Sequence, residues 1–227
     1  MMLNTARQPR KAEVPMKNAA IFDLDGTLWD TTPYVHTIWN RVFARHPETS
    51  VHVTKEDAAQ CMGRTMEEIG EILMPGLDVS FQNMIMEEIG NEEVVFLKEH
   101  GGDLYEGVRE TLAGLKETYD LFIVSNCQDG YVQAFLYAHG FEDCFKDIEM
   151  SGRTGLSKGE NIRLIMQRNN IVNAVYIGDT QGDRNAAAEA DIPFIHAAYG
   201  FGKVRNADAV IQDITCLPSV LCRFLKI

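Results

Sequence analysis

No stretch of this 227-residue chain carries an apolar run of transmembrane length, and positive charge is in short supply. The 21 Lys and Arg stand against 33 Asp and Glu, a net charge of −12. The first absence predicts no membrane-spanning helix. The second argues against non-specific binding to nucleic acid or to an anionic membrane surface. It leaves room for a small anionic substrate, because a metal ion and a few local cations can dominate one pocket. Cysteine is sparse too: Cys61, Cys127, Cys144, Cys216 and Cys222 are scattered, odd in number and form no Cys-x-x-Cys pair. That pattern fits reduced thiols in a cytoplasmic protein better than a disulfide framework or a zinc site. Cys127, after a polar strand end, reads as a part-exposed bystander. Residues 1–15 have no apolar signal-peptide core and no serine, so they read as a disordered extension ahead of Met16. Internal repeats and low-complexity segments are also lacking.

What is present is ordinary for a globular protein, with 45% apolar and 24% charged residues. The length suits one large domain or a domain with an insert. One segment is not ordinary. Residues 19–24 form an apolar strand that ends in Asp23 and Asp25, followed by Gly26 and Thr27. Side chains at i and i+2 of a strand share a face. Two carboxylates there repel each other and resist desolvation, so folding alone does not explain them. A divalent cation would relieve the conflict, and Mg²⁺ prefers such hard oxygen ligands. The plain alternative is an Asp-Gly turn beside a surface Asp.

Between residues 33 and 91 helical periods dominate. Thr32 reads as an N-cap with Pro33 in the first turn, and further helices are expected over 54–61, 65–73 and 80–99, with a break or kink at Gly90. From residue 103 strands and helices alternate. Helices are expected over 108–119, 129–139, 157–169, 182–190 and 215–225, and strands over 121–124, 174–177, 194–196 and 209–211. This pattern predicts an α/β fold, a Rossmann-like doubly wound parallel sheet with helices on both faces. The helical stretch is an insertion: residues 16–32 and 103–227 form the α/β core, residues 33–102 the insert.

Ligands of open α/β sheets collect at the carboxyl ends of strands. Asp23, Asp25, Ser125, Asn126, Asp179 and Asp183 all follow strand ends in this reading. Lys158 sits at a helix start, where a cation suits the dipole poorly unless an anion is near. Singly, Ser125-Asn126 reads as a turn, Lys158 as a surface charge and Asp179 as a helix cap; their joint occurrence in register argues otherwise.

This ordered set resembles the haloacid dehalogenase superfamily, whose members are mostly phosphatases. The family's Asp-x-Asp-x-Thr is matched by Asp23, Asp25 and Thr27, its Ser or Thr after a strand by Ser125, its Lys by Lys158, and its Gly-Asp-x-x-x-Asp by Gly178, Asp179 and Asp183. Gly159 stands where many relatives have Pro. The resemblance implies a Mg²⁺-dependent phosphatase. Asp23 would be the nucleophile that becomes an aspartyl-phosphate, and Asp25 the general acid and base. Mg²⁺ would bind Asp23, Asp179 and the main-chain carbonyl of Asp25. Ser125, the Asn126 backbone N–H and Lys158 would hold the phosphoryl oxygens, with Thr27 also in the substrate site. Asp183 would hold the metal's water shell or Lys158.

The helical insert resembles the family's cap, close to those of phosphoglycolate phosphatases. Gly63-Arg64-Thr65 would face the active site, with Arg64 reading a carboxylate or second phosphate or, equally, standing as an exposed helix-start arginine. Trp39, Phe43, Met62 and Met66 read as cap core. The substrate expected is a small phosphorylated metabolite, phosphoglycolate-like or a sugar phosphate, and the chain a monomer or weak homodimer. Two alternatives stand beside this: a phosphosugar mutase of the β-phosphoglucomutase type, and a phospho-acceptor signalling module without turnover. Residues 30–33 and 100–103 are expected hinges, with Gly101-Gly102 supplying freedom.

Overall fold

Ala19, Ala20, Ile21 and Phe22 are all fully buried, so the strand they form has cover on both faces. A near-continuous apolar run with no polar face is what a central strand of a parallel sheet requires. The computed structural model describes residues 17–225, so the expectation for residues 1–15 lies outside the described residues. In chain order the elements are β1 (Lys17–Phe22), β2 (Trp29–Asp30), α1 (Thr32–Phe43), α2 (Lys55–Cys61), α3 (Met66–Leu73), α4 (Val79–His100), β3 (Asp103–Leu104), α5 (Val108–Leu115), β4 (Asp120–Ser125), α6 (Tyr131–His139), β5 (Asp147–Met150), α7 (Ser151–Thr154), α8 (Lys158–Asn169), β6 (Ile171–Gly178), α9 (Gln181–Glu189), β7 (Phe194–Ala197), β8 (Ala209–Ile211) and α10 (Leu217–Leu221).

Six strands form one parallel sheet in the order β5-β4-β1-β6-β7-β8. The order reverses at β1, which pairs with β4 on one side and β6 on the other. Ala19 and Ile21 pack with Ile162 and Ile165 of α8 and Ala186 and Ala187 of α9. Ala20 and Phe22 pack in the cluster of Leu112 of α5, Phe135 of α6 and Leu217 of α10. This is the doubly wound Rossmann-like α/β architecture expected. No helix among the described residues is long and apolar enough to cross a membrane.

Helices α1–α4 intervene between β1 and the rest of the sheet and bury a cluster of their own: Val35, Ile38, Trp39, Val42, Ile69, Ile85 and Ile89 among others. The chain enters and leaves this unit through a two-stranded antiparallel ribbon, Trp29 opposite Leu104 and Asp30 opposite Asp103. Four local expectations need correction. Thr32 is not the N-cap of α1; the Asp30 carboxylate takes the Thr32 N–H at 2.8 Å and its hydroxyl at 2.7 Å. Gly90 does not break α4, which runs unbroken over 22 residues. A Cβ there would stand 3.2 Å from the Gln128 side chain, so the glycine serves close approach to the sheet domain. The C-terminal helix is shorter than its pattern: a 3-10 turn over Ile214–Cys216 comes first, and α10 starts with Pro218 in its first turn. The β5 strand is an addition to the expected elements, because Asp147 and Glu149 interrupt its apolar pattern. Arg168 of α8 neutralises both.

Candidate active site

The backbone after β1 makes a turn that sends its two carboxylates to different tasks. The Asp23 N–H still donates to the Ile177 carbonyl at 2.8 Å, so this residue stays tied to β6. Gly26 then takes φ +79°, a left-handed conformation that suits glycine. A Cβ at Gly26 would come 2.3 Å from Asp179 Oδ2, so this glycine also lets the loop close down on the end of β6. Asp179 follows the last residue of β6. Thr180 caps α9 in a reciprocal capping box with Asp183, which fixes Asp183 one turn away from Asp179. Ser157 caps α8 with Glu160 in the same way and places Lys158 at the first helical position.

Lys158 is buried, and its Nζ donates to Asp23 Oδ1 at 3.0 Å and to Asp183 Oδ1 at 2.6 Å. Lys158 and Asp23 are 135 residues apart in sequence, yet they meet with Asp183 at one edge of the sheet, as the motif pattern predicts. Carboxylate oxygens of Asp23, Asp179 and Asp183 lie within 4.8 Å of one another. Burial, then the neighbouring Asp183, raises Asp23 well above the usual carboxylate range, with Lys158 opposing. Asp179 is pushed up to about 7 by burial and by Asp183. Burial alone would push the Lys158 ammonium down, but Asp183 and Asp23 together outweigh it and hold it above its ordinary value.

One ammonium does not neutralise three buried carboxylates. Asp23 Oδ2 and Asp179 Oδ1 are buried and accept no hydrogen bond. An orphaned, unneutralised oxygen set of this kind fits a divalent cation. Asp183 is differently placed. Its Oδ1 takes Lys158, and its Oδ2 accepts from the Asp179 and Thr180 N–H groups and the Thr180 hydroxyl. Its acceptor capacity is largely spent, which suits an anchor for Lys158 better than a direct ligand. The side chain of Asp25, whose main-chain carbonyl is the group expected at the metal, stands outside this cluster.

Asp25 is held by groups of its own. Its Oδ1 accepts from Trp29 Nε1 at 2.9 Å, Tyr131 Oη at 2.9 Å and Thr31 Oγ1 at 3.2 Å. Burial pushes the acid up to about 6, and the bonds from Tyr131, Trp29 and Thr31 hold it from going higher. Trp29 and Thr31 follow the motif closely, and their donors are legible in the sequence once the turn is drawn. Tyr131 comes from α6, 106 residues on, and nothing local announces it.

Ser125 ends β4, buried, its hydroxyl 3.4 Å from the Cys127 N–H. Thr27 is fully buried and its hydroxyl has no partner. The Asn126 side chain bridges the two units, donating to the Gly63 carbonyl at 2.9 Å and accepting from Ser151 Oγ at 3.1 Å. Gly63 thus meets the site through its carbonyl. Arg64 lines the cavity but is exposed, with its Nε turned back to the Gln60 carbonyl at 3.4 Å. Cys127 is buried rather than part-exposed, and burial pushes its thiol up, so it stays an unreactive thiol. Between the sheet edge and the helical unit lies a cavity of about 30 Å³, lined by Asp23, Asp25 and Ser125 below and by Trp39, Met62 and Glu93 above.

Comparison with known proteins agrees with this geometry. The haloacid dehalogenase-like hydrolase profile matches residues 20–197. A phosphoglycolate phosphatase of Photobacterium profundum is 25% identical, over 88% of this chain and 93% of that protein. One of Rhodobacter capsulatus is also 25% identical, over 91% and 97%. Among solved structures, CbbY from Rhodobacter sphaeroides in complex with phosphate superposes with a TM-score of 0.72 at 20% identity, over 89% of this chain and 96% of that one. A haloacid dehalogenase-like family protein from Streptococcus pneumoniae gives 0.73 at 20%, over 90% and 98%. With the profile spanning most of the chain, and the sheet, its strand-end carboxylates and its buried lysine arranged as described, the chain belongs to the haloacid dehalogenase-like hydrolases.

Proposed function

We propose that the protein is a Mg²⁺-dependent phosphatase of small phosphorylated metabolites, working through an aspartyl-phosphate on Asp23. The observation that carries this reading is the unequal state of the Asp23 oxygens. Oδ1 is pinned by Lys158, and Oδ2 is bare and buried beside the cavity. A carboxylate so held is oriented for attack yet keeps a free lone pair. Residues 33–102 act as a cap over the α/β core of residues 16–32 and 103–227.

Asp23 attacks phosphorus, an O–P bond forms, and the ester P–O bond breaks. The proton of Asp25 goes to the departing alkoxide. A water then attacks the phosphorus of the aspartyl-phosphate and loses a proton to Asp25, which regenerates the acid; the Asp23 O–P bond breaks, freeing the Asp23 carboxylate and releasing phosphate. An acid poised near 6 serves both roles close to neutral pH. Lys158, the Ser125 hydroxyl and the Asn126 N–H hold phosphoryl oxygens as charge moves. Asp23 and Asp179 would hold Mg²⁺ with the main-chain carbonyl of Asp25, where the ion would neutralise charge between the nucleophile and the phosphoryl group, and Asp183 steadies Lys158.

The test is phosphate release from a panel of phosphate monoesters with Mg²⁺, with EDTA, and with Asp23→Asn. Release that needs both the ion and Asp23 supports the reading. Transfer to a sugar phosphate instead of water would favour a mutase, and a lasting acyl-phosphate without release would favour a signalling module.

A further inference from the structure

One buried charge in the cavity has no part in the phosphoryl chemistry. Glu93, on α4, is 3% exposed and lines the cavity roof opposite Asp25. Its two oxygens are each fixed once: Oε1 by Trp39 Nε1 at 2.5 Å, Oε2 by Gln128 Nε2 at 2.7 Å. No cation accompanies it among these partners. A buried carboxylate without an ion pair is costly, and Gln128 and Trp39 are neutral donors that orient it without cancelling its charge. Burial, opposed by those two bonds, pushes it up to about 7, with the charge of Asp25 adding to the rise. The positive group of the same wall, Arg64, is exposed and turned back to the Gln60 carbonyl. The rest of the roof is apolar: Trp39, Met62, Met66 and Ile69.

We propose that Glu93 determines specificity, selecting phosphate esters whose unphosphorylated end carries hydrogen-bond donors, hydroxyl or ammonium, and rejecting those that end in a carboxylate. A substrate whose phosphoryl group meets Asp23 points its other end toward the roof, because the floor is occupied by the phosphoryl-binding groups. Each carboxylate oxygen can accept more than one hydrogen bond, so Glu93 keeps capacity for a substrate donor after Trp39 and Gln128 are counted. A carboxylate tail would set a second negative charge against the buried Glu93, where repulsion is weakly screened. Trp39, which fixes Glu93, lines the same wall. The inference rests on the phosphatase reading. It separates the two substrate types that reading leaves open, and it points away from phosphoglycolate.

A matched series tests it: 2-hydroxyethyl phosphate, 2-aminoethyl phosphate and phosphoglycolate have two-carbon tails and differ in the terminal group. Assays run with Mg²⁺ at about pH 8, where Glu93 is ionised. The expected result is a kcat/KM for at least one donor-tailed ester about tenfold or more above that for phosphoglycolate, and the stronger of the two shows whether hydroxyl or ammonium is read. In Glu93→Gln that ratio falls by about tenfold or more, chiefly through KM. General damage to the fold would lower all three rates together and leave the ratio in place. A wild-type preference for phosphoglycolate overturns the proposal, and so does a ratio that Glu93→Gln leaves unchanged. If the variant does not fold, the wild-type ratio decides alone. If the wild type releases no phosphate from any ester, including an aryl phosphate with a good leaving group, it is the phosphatase reading that fails.

Discussion

On the sheet side of the cavity, charge is dense. Asp23, Asp179 and Asp183 crowd around one ammonium, and their positions follow from where β1 and β6 end and where α8 and α9 begin. On the helical side charge is thin. Apolar side chains line the wall, a single carboxylate is buried in it, and its arginine is exposed. Strand ends hold a side chain in place through a ladder of backbone bonds on both sides, as suits groups that must meet a reacting phosphorus. Helix faces can change side chains without moving the backbone, as suits groups that read the variable part of a substrate. The unit that presents them joins the sheet domain through the short β2–β3 ribbon.

The sharpest way to break this division of labour is at Asp23. Asp23→Asn should lower phosphate release by several orders of magnitude, on the order of 10⁴ or more. It removes one of three crowded negative charges, so the metal-free protein should melt no lower than the wild type. Activity that survives the change would move the nucleophile elsewhere. EDTA should abolish turnover, and Mg²⁺ should restore it. The ion should also raise the melting temperature by mass action, an effect that Asp179→Asn should remove. A Mg²⁺ shift that persists in Asp179→Asn would argue against the cluster as the metal site.

Asp25 sharpens the comparison from within the floor. Asp25→Asn should slow hydrolysis of an alkyl phosphate by about 10²–10⁴-fold. With an aryl phosphate whose leaving group needs no proton, the first step is spared and the second is not, so the aspartyl-phosphate should accumulate and be trapped. Equal loss on both esters without accumulation would mean that Asp25 acts in some way other than proton transfer.

The floor is legible in the sequence because each of its residues follows a strand end or opens a helix, and such punctuation is local. Lys158 and Asp183 need only capping boxes and register to fall into place. The roof is far less legible. Nothing in the periodicity of α4 marks Glu93 as buried, because a glutamate on an amphipathic helix ordinarily faces water. Its burial depends on Gln128 from another unit and on Gly90, whose missing side chain lets that loop approach. Tyr131 escapes notice for the same reason, being tied to Asp25 through tertiary packing alone. Arg64 lines the cavity at the expected junction and is exposed, as one of the two readings left open for it has it.

The ribbon between the units carries a smaller effect. Gly102 is expected from the sequence to lend freedom, but a Cβ there would meet Thr31 Cγ2 at 2.8 Å and Trp29 Cε3 at 2.9 Å. Gly102→Ala should therefore cost about 1–3 kcal/mol of stability, a fall of several degrees in melting temperature for a chain of this size. The same push bears on Trp29 and Thr31, two of the donors to Asp25, so turnover should fall with it. An alanine variant with unchanged melting and unchanged kinetics would show that the ribbon yields without consequence.

The finest difference between floor and roof is a pH dependence that belongs to Glu93. Burial raises this acid from its ordinary 4.5 to about 7 in the folded protein. Between those values the folded chain binds more protons than the unfolded chain, so stability falls as pH rises through that window and is level above it. The groups facing Glu93 are Trp39 on α1, Gln128 and Tyr131 on the sheet side, and Asp25. Asp25 titrates too, but it is present in wild type and variant alike. Glu93→Gln keeps an acceptor for the Trp39 indole, and a flipped Gln128 amide can meet the new amide nitrogen. The variant should therefore gain on the wild type in melting temperature from about pH 4.5 to about pH 7, then hold a constant difference. A difference that stays flat across that range would show Glu93 ionising as an ordinary surface glutamate, and the roof would then be as wet as the floor is dry.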